Sequence, residues 1–214
     1  MLNDWNPKEV TRAENTWGHK IHPYTKDLFQ FATETGDSWL DLGCGFGRFL
    51  EYLDGKFEEA DYIGYDSSAS MIARICERFP AYALRCFHKD ITEPISHPKQ
   101  VVISSAVFIH ITLESQNKIL KNLTEIHPKP LGIGFDINCP SEGALDKMER
   151  RGVEANERRI KTTKDGSATF RMTWQNHRVM LKKLKELFPD YDINFEFYPL
   201  RANQHKVMFF LKRR

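Results

Sequence analysis

Three glycines alternate in a segment whose spacing suits a ligand-binding loop. Gly43, Gly45 and Gly47 lie in the run WLDLGCGFGRFL, residues 39–50. Glycine is favoured where the backbone turns with positive φ or comes close to a ligand. The dinucleotide-binding pattern GxGxxG would need its third glycine at Arg48. The spacing here is GxGxG, with Asp41 two residues before the first glycine. It predicts a loop that can approach an adenosyl amino acid, which has no pyrophosphate.

Two carboxylates follow predicted strands at intervals that could bring them to the same loop. Asp66 ends the apolar segment 62–65, and in a doubly wound fold this position faces the same crevice as the glycine loop. There it could accept both ribose hydroxyl protons. Asp90 follows the next predicted strand and could accept from the exocyclic amine of adenine. An isolated Asp after a strand is more often a turn or helix cap, but the ordered set favours a nucleoside site.

These residues must be positioned by elements that alternate along the chain. Residues 1–35 are predicted to form a helical cap, with Asn6 as N-cap, Pro7 at the first helical position and Glu9 completing a capping box. The alternation that follows implies a parallel sheet with helices on both faces. Strands are predicted at 38–42, 62–65, 82–87, 101–105 and 131–137, and helices at 48–53, around 71–75 and at 113–126. After a helix at 179–188, strands at 193–198 and 206–211 suit an antiparallel pair.

Together, these motifs resemble those of the class I S-adenosylmethionine-dependent methyltransferases. The motifs cover roughly residues 36–137, and topology covers the rest. The resemblance implies an α/β doubly wound sheet of seven mostly parallel strands, in the order 3-2-1-4-5-7-6 with the last strand antiparallel. It implies one methyltransferase domain over residues 1–214, with S-adenosyl-L-methionine as cofactor. Pro94 and Pro98 indicate that the usual helix between the third and fourth strands is lost or vestigial.

The resemblance also implies a set of cofactor-binding residues. The segment 40–47 matches the family's first motif, and Asp66 matches its acidic ribose ligand. Met71 lies where an apolar residue often covers adenine, and the end of the segment 101–111 is expected beneath the methyl group. The full predicted set is Asp41, Gly43, Cys44, Gly45, Gly47, Asp66, Ser67, Met71, Asp90, Ile91, Ser105 and Ala106.

Several single residues have both a functional and a structural interpretation. His110, after the fourth strand, is the candidate catalytic base on the side of the methyl acceptor; a purely structural histidine is the alternative. Arg48 could meet the methionine carboxylate or could be solvated. The aromatic side chains of Trp17, His19 and Tyr24 precede the first strand, where this family often places a segment that covers the cofactor. Packing is the other interpretation of these three.

The segment 138–174 interrupts the alternation and is too long for a connection of about 2–6 residues. We predict a short helix at 145–151 and a β-hairpin of 160–164 and 168–174 around the turn Asp165-Gly166. Because the segment follows the fifth strand, it is expected at the mouth of the crevice as an insert or lid over the acceptor. Its cations could meet an anionic group there, or could simply face water: Arg150, Arg151, Arg158, Arg159, Lys161 and Arg171.

Composition is that of an ordinary globular protein and excludes several classes. The 214 residues include 31 Lys and Arg against 29 Asp and Glu, which argues against a disordered or strongly polyanion-coating chain. The four cysteines form no CxxC pair or Cys/His cluster, so no metal site is predicted. The N-terminus lacks signal-peptide features, and no apolar stretch is long enough to cross a membrane. A cytoplasmic protein without a membrane partner is expected.

The sequence therefore predicts an enzyme that transfers a methyl group to an oxygen or nitrogen of a small-molecule acceptor. Three alternatives remain: a nucleotide-dependent oxidoreductase, a non-catalytic adenosyl-binding module, and a methyltransferase acting on RNA or protein. Support for a nucleic-acid partner, which is not favoured, comes from residues 108–214, where 20 basic residues stand against 13 acidic ones.

Overall fold

One sheet organises the chain. The structure is a computed structural model that describes residues 6–18, 21–53, 60–161, 169–200 and 204–214. Its strands are β1 (Ser38–Leu42), β2 (Asp61–Asp66), β3 (Cys86–His88), β4 (Val101–Ser104), β5 (Gly132–Cys139), β6 (Ala155–Lys161), β7 (Thr169–Gln175), β8 (Tyr191–Pro199) and β9 (His205–Arg213).

The strand order confirms the predicted topology. The main path runs β3-β2-β1-β4-β5-β9-β8, in which β9 is antiparallel to both of its neighbours and the other pairs are parallel. β8 and β9 therefore take the places of the predicted sixth and seventh strands. Every residue of β5 is buried, because β5 is central and both faces of the sheet are covered.

Helices cover the sheet on both faces. They are α1 (Pro7–Ala13), α2 (Pro23–Thr35), α3 (Arg48–Leu53), α4 (Ala69–Arg78), α5 (Leu113–Thr124), α6 (Glu142–Arg150) and α7 (His177–Leu187). One core packs α2, α3 and α4 against the sheet through Leu28, Phe49 and Ile75. The other packs α5 and α7 through Leu120 and Leu184. None of the described helices is both long and apolar enough to cross a membrane.

The N-terminal helices begin where the sequence indicates. Asn6 accepts from the backbone of Glu9, whose side chain accepts from the Asn6 N–H, and Pro7 is the first helical residue. A π-helical turn over Glu14–Gly18 continues α1. The second helix ends at Gly36, which caps it with extended backbone.

The prediction of a strand over residues 82–87 is wrong for most of its length. Pro80–Arg85 is a 3₁₀ helix, and β3 keeps only three residues. Proline has its φ fixed near the helical value and lacks the N–H that a ladder needs, so Pro80 begins a helical turn. Tyr82 packs edge-on against Tyr62 and its hydroxyl accepts from the Ala60 N–H, which fixes this turn against β2.

The segment after β5 contains the predicted short helix and hairpin, with different bounds. The helix, α6, starts at Glu142, and the hairpin strand β6 begins at Ala155, five residues before its predicted start. β6 and β7 pair antiparallel from Ala155↔Gln175 to Lys161↔Thr169, and β7 also meets β5 at Asn138↔Trp174. The hairpin is thus joined to the carboxyl end of β5, beyond the last residue of β4. The predicted turn Asp165-Gly166 lies outside the described residues.

Candidate functional site

The glycine loop joins β1 to α3 at the carboxyl ends of the strands. Gly43 and Gly45 have φ values of +79° and +54°, which side-chain-bearing residues rarely adopt. The N–H groups of Gly43 and Cys44 both donate to the Tyr65 carbonyl, at 2.7 and 3.0 Å, and fix the loop to the end of β2. A Cβ on Gly45 would meet only the Met71 sulfur, at 4.0 Å. Open space therefore lies in front of the loop.

Asp66 ends β2 directly opposite this loop. Its Oδ2 accepts the Gly45 N–H at 2.9 Å, and its Oδ1 accepts the Ser68 N–H at 2.8 Å. Burial raises the pKa of Asp66, and these two backbone N–H groups act to lower it. A carboxylate can accept about four hydrogen bonds, so each oxygen can also accept one from a ligand.

One cleft brings most of the predicted residues together. The predicted cofactor-binding residues that line it are Asp41, Gly43, Cys44, Gly45, Asp66, Ser67, Met71, Ile91, Ser105 and Ala106. His110 lines the same cleft. These residues lie at the carboxyl ends of β1 and β2 or in the segments that follow β1, β2, β3 and β4, so the parallel strands position all of them at the same end of the sheet.

Two predicted residues lie outside the lining. A Cβ on Gly47 would lie 2.8 Å from side-chain atoms of both Ile75 and Phe79, so this glycine permits α4 to pack closely behind the loop. Asp90 is exposed and accepts from both the N–H and the hydroxyl of Thr92 at 2.8 Å, as a local turn. The structure gives neither residue a place in the cleft wall.

The exit of β4 forms the opposite wall. Ala106 has a φ of +60°, which is uncommon for a residue with a Cβ. Its N–H donates to Oδ1 of the buried Asp136 on β5 at 2.5 Å. The other carboxylate oxygen accepts from Lys206 on β9 at 2.6 Å, within a buried ion pair. Sequence analysis singled out neither member of this pair as supporting the cleft.

Two charged groups lie at the base of the cleft. Burial raises the pKa of Asp41 to about 7, while the hydroxyl of Tyr62 donates to its Oδ2 at 3.2 Å and opposes the shift. Arg48 donates to the Thr25 hydroxyl at 2.9 Å, and burial lowers its pKa. Its Nε is buried without a hydrogen-bond partner among the described residues. An anionic ligand group could supply that missing acceptor.

Comparisons with known proteins agree with this geometry. A family model described as "Methyltransferase domain" matches residues 40–128. Trans-aconitate 2-methyltransferase from Methylobacterium radiotolerans is 32% identical over 82 residues, which are 38% of this chain and 30% of that protein. The enzyme of the same name from Yersinia pseudotuberculosis serotype O:1b is 26% identical over 156 residues, 71% of this chain and 58% of that protein. The matches thus span less than two thirds of these relatives.

Solved structures show that the fold is shared over nearly the whole chain. An S-adenosylmethionine-dependent methyltransferase from Clostridium acetobutylicum aligns with a TM-score of 0.64 at 15% identity, covering 96% of this chain and 98% of that one. The magnesium protoporphyrin IX methyltransferase of Synechocystis PCC 6803, solved with bound S-adenosylhomocysteine, gives 0.57 at 15% identity, covering 98% and 100%. Residues 40–128 thus match a methyltransferase-domain model, and the chain shares the fold of S-adenosylmethionine-dependent methyltransferases.

The N-terminal segment packs onto the cleft. Val10 and Ala13, one helical turn apart on α1, form a buried cluster with Phe46 of the glycine loop and Met71 of α4. Ala13 lines the cleft. Glu14 fixes the helix end, because its carboxylate pairs with Arg74 at 2.8 Å and with Arg78 at 3.3 Å. Sequence analysis predicted a cap here but missed Ala13, whose signal was the apolar spacing of α1.

The structure bears differently on each of the three aromatic residues named for that cap. Tyr24 stacks on His22 with ring centres 5.1 Å apart, and the Lys206 ammonium lies 4.7 Å from the centre of the Tyr24 ring. These contacts support the packing interpretation of Tyr24. Trp17 belongs to the π-helical turn, and His19 lies outside the described residues.

The lining of the cleft fits S-adenosylmethionine. Open space at Gly45 admits a ligand close to the backbone, and the Asp66 carboxylate is a suitable acceptor for a ribose diol. Met71 and Ile91 offer buried apolar surface of the kind that an adenine ring requires. The unpartnered Nε of Arg48 suits the carboxylate of the amino-acid portion.

Proposed function

We propose that this chain transfers a methyl group from S-adenosylmethionine to an oxygen or nitrogen of a small-molecule acceptor. The observation that carries the proposal is the convergence of the GxGxG loop, Asp66 and His110 on one cleft at the carboxyl ends of β1, β2 and β4. This convergence joins a nucleoside-binding lining to a side chain that can hold or move a proton.

In this proposal, residues from each wall of the cleft contact the cofactor. Asp66 accepts hydrogen bonds from the ribose hydroxyls, while Met71 and Ile91 cover the adenine. Ser105 and Ala106, which line the cleft at the exit of β4, would face the methyl group of the bound cofactor. Arg48 pairs with the cofactor carboxylate.

Methyl transfer requires mainly that the acceptor atom, the methyl carbon and the sulfur lie in line. The bound cofactor supplies an activated methyl group on a sulfonium, and the acceptor lone pair forms a bond to that carbon as the carbon–sulfur bond breaks. Holding the acceptor in line can contribute up to ~7–11 kcal/mol. For a hydroxyl or amine acceptor, His110 takes the proton that is lost. A carboxylate acceptor loses no proton, and His110 then serves to orient it.

We further propose that the acceptor carries carboxylate groups. Two relatives are named trans-aconitate 2-methyltransferase, and trans-aconitate is a small tricarboxylate. The insert of this chain has an excess of cations that suits such an anion: Arg150, Arg151, Arg158, Arg159, Lys161 and Arg171. In this proposal the described parts of the segment beyond β5, residues 140–161 and 169–174, lie on the acceptor side, because they follow β5 at the carboxyl ends of the strands, where the cleft opens.

A transfer assay with labelled cofactor tests the proposal. We expect methyl incorporation into one of a panel of di- and tricarboxylates that includes trans-aconitate, and none with Asp66→Ala. The matched control is Asp192→Asn, a carboxylate on the distant edge strand β8. Wild-type incorporation into RNA or protein alone would instead identify a macromolecular acceptor. Binding of S-adenosylhomocysteine without transfer to any pool would indicate a non-catalytic module.

A further inference from the structure

A single threonine of the inserted hairpin holds the backbone on both sides of His110. The N–H of Thr173 on β7 donates to the Ile109 carbonyl at 2.8 Å. The Thr173 hydroxyl donates to the Ile111 carbonyl, also at 2.8 Å. Thr173 is fully buried, and both isoleucines are nearly so. Water therefore offers no easy replacement for either hydrogen bond.

The cross-strand neighbour of Thr173 extends the same contact. Glu157 on β6 is in register with Thr173, and its Oε1 accepts the N–H of Leu113, the first residue of α5, at 2.9 Å. The hairpin thus binds alternate residues 109, 111 and 113. His110 lies within this stretch and lines the cleft. Loops between elements are otherwise the mobile part of a fold.

We propose that Thr173 is a positioning residue for His110, so that the inserted hairpin sets the geometry of the acceptor side of the cleft. The inference rests on the proposed function insofar as His110 acts on the acceptor. Thr173 does not line the cleft. It acts through the carbonyl groups that flank His110. The insert therefore has a structural link to the reacting centre, besides any contact with the acceptor.

Substitutions at Thr173 separate positioning from general stability. Thr173→Val keeps the shape and the backbone N–H but removes the hydroxyl, and Thr173→Ser restores it. We expect Thr173→Val to shift the imidazole NMR signals of His110, assigned by their loss in His110→Gln. We also expect it to lower kcat about tenfold with S-adenosylhomocysteine affinity unchanged, since small misplacements near a reacting centre have large effects on rate. Thr173→Ser is expected to recover both properties.

The matched control is Thr124→Val, which removes a threonine hydrogen bond to the Lys121 carbonyl at the end of α5; neither residue lines the cleft. If Thr173→Val leaves the His110 signals and kcat as Thr124→Val does, the positioning role is refuted. Should Thr173→Val fail to fold, Glu157→Ala, at an exposed position, applies the same test to the neighbouring hydrogen bond, and unchanged His110 signals there would also refute the role.

The NMR readout distinguishes this failure from failure of the proposed function. If His110→Gln transfers methyl groups at the normal rate, the acceptor role of His110 is wrong. The shift of the His110 signals in Thr173→Val still tests the geometric link by itself. If those signals move but kcat does not, Thr173 positions His110, and the role of His110 in the reaction is what fails. If the signals do not move, the positioning proposal is overturned.

Discussion

Lys206 and Asp136 form an ion pair inside the protein, with the ammonium nitrogen 2.6 Å from Oδ2 and side chains only 5% and 1% exposed. The pair joins the antiparallel strands β9 and β5 at neighbouring positions. Because the second oxygen of Asp136 accepts the Ala106 N–H, the pair also supports the wall of the cleft. A buried charge pair thus connects the last strand of the sheet to the candidate site.

Removing one member of this pair is expected to destabilise the protein strongly. Lys206→Met leaves Asp136 buried without its counter-charge, and such changes cost about 3–5 kcal/mol. The double variant Lys206→Met/Asp136→Asn leaves no unpaired charge and keeps an acceptor for the Ala106 N–H. We expect it to recover most of the loss. Urea unfolding measures both, and equal stability of the single and double variants would contradict this account.

Asp66→Ala is expected to weaken S-adenosylhomocysteine binding while the fold is retained. Hydrogen bonds to a charged acceptor contribute about 1.5–3 kcal/mol, which corresponds to a dissociation constant roughly 10 to 100 times higher. Titration calorimetry measures the change, with Asp192→Asn as control. Unchanged affinity would remove Asp66 from the cofactor site.

Substitutions at two glycines of the same loop are expected to affect different properties, ligand binding in one case and stability in the other. Gly45→Val places a branched side chain in the open space of the cleft at a φ of +54°, so ligand binding is lost. Gly47→Ala places a Cβ 2.8 Å from Ile75 and Phe79, so mainly stability falls. Thermal unfolding and S-adenosylhomocysteine titration on each variant separate the effects. Normal binding by a folded Gly45→Val would show that the loop does not contact the cofactor.

Arg48 can be tested with two ligands, only one of which carries the amino-acid portion. 5′-Methylthioadenosine has the adenosine and the thioether of S-adenosylhomocysteine, but a methyl group on sulfur replaces the chain that bears the α-amino group and the carboxylate. We expect Arg48→Met to lower affinity for S-adenosylhomocysteine about tenfold or more and to change affinity for methylthioadenosine little, because only the former offers an acceptor to Nε. Equal losses for the two ligands would indicate that Arg48 shapes the cleft without binding the carboxylate.

The raised pKa of Asp41 predicts that the free energy of unfolding depends on pH. Its folded pKa of about 7 exceeds the unfolded value of about 3.9, so between these values the folded state binds more protons. Stability due to this group therefore falls as pH rises from about 4 to about 7. Asp41→Asn keeps an acceptor for Tyr62 and removes the titration. We expect the stability of the variant relative to the wild type to increase by up to ~3 kcal/mol between pH 4.5 and pH 8.

Urea unfolding at the two pH values measures this gain, with Asp192→Asn as control. A stability difference between Asp41→Asn and the wild type that is the same at both pH values would contradict the raised pKa.

Features that depend on near neighbours in the chain were predictable from sequence. The capping box of Asn6 and Glu9 spans three residues, and positive φ at Gly43 and Gly45 follows from a turn that glycine makes without strain. Asp66 could be placed opposite the loop because parallel strands bring their carboxyl ends to one edge. The strand predicted over 82–87 failed because apolar residues near Pro80 pack as a helical turn against β2.

Tertiary structure alone decided how the wall of the cleft is supported. Asp136 and Lys206 are 70 residues apart, and Thr173 is 62 residues from Ile111. No periodicity or local spacing predicts such pairs. The two members come together only because β9 inserts beside β5 and the hairpin pairs with the carboxyl end of β5. Local rules identified the glycine loop, whereas burial of polar groups between distant strands fixed the hydrogen bonds around His110 and Ala106.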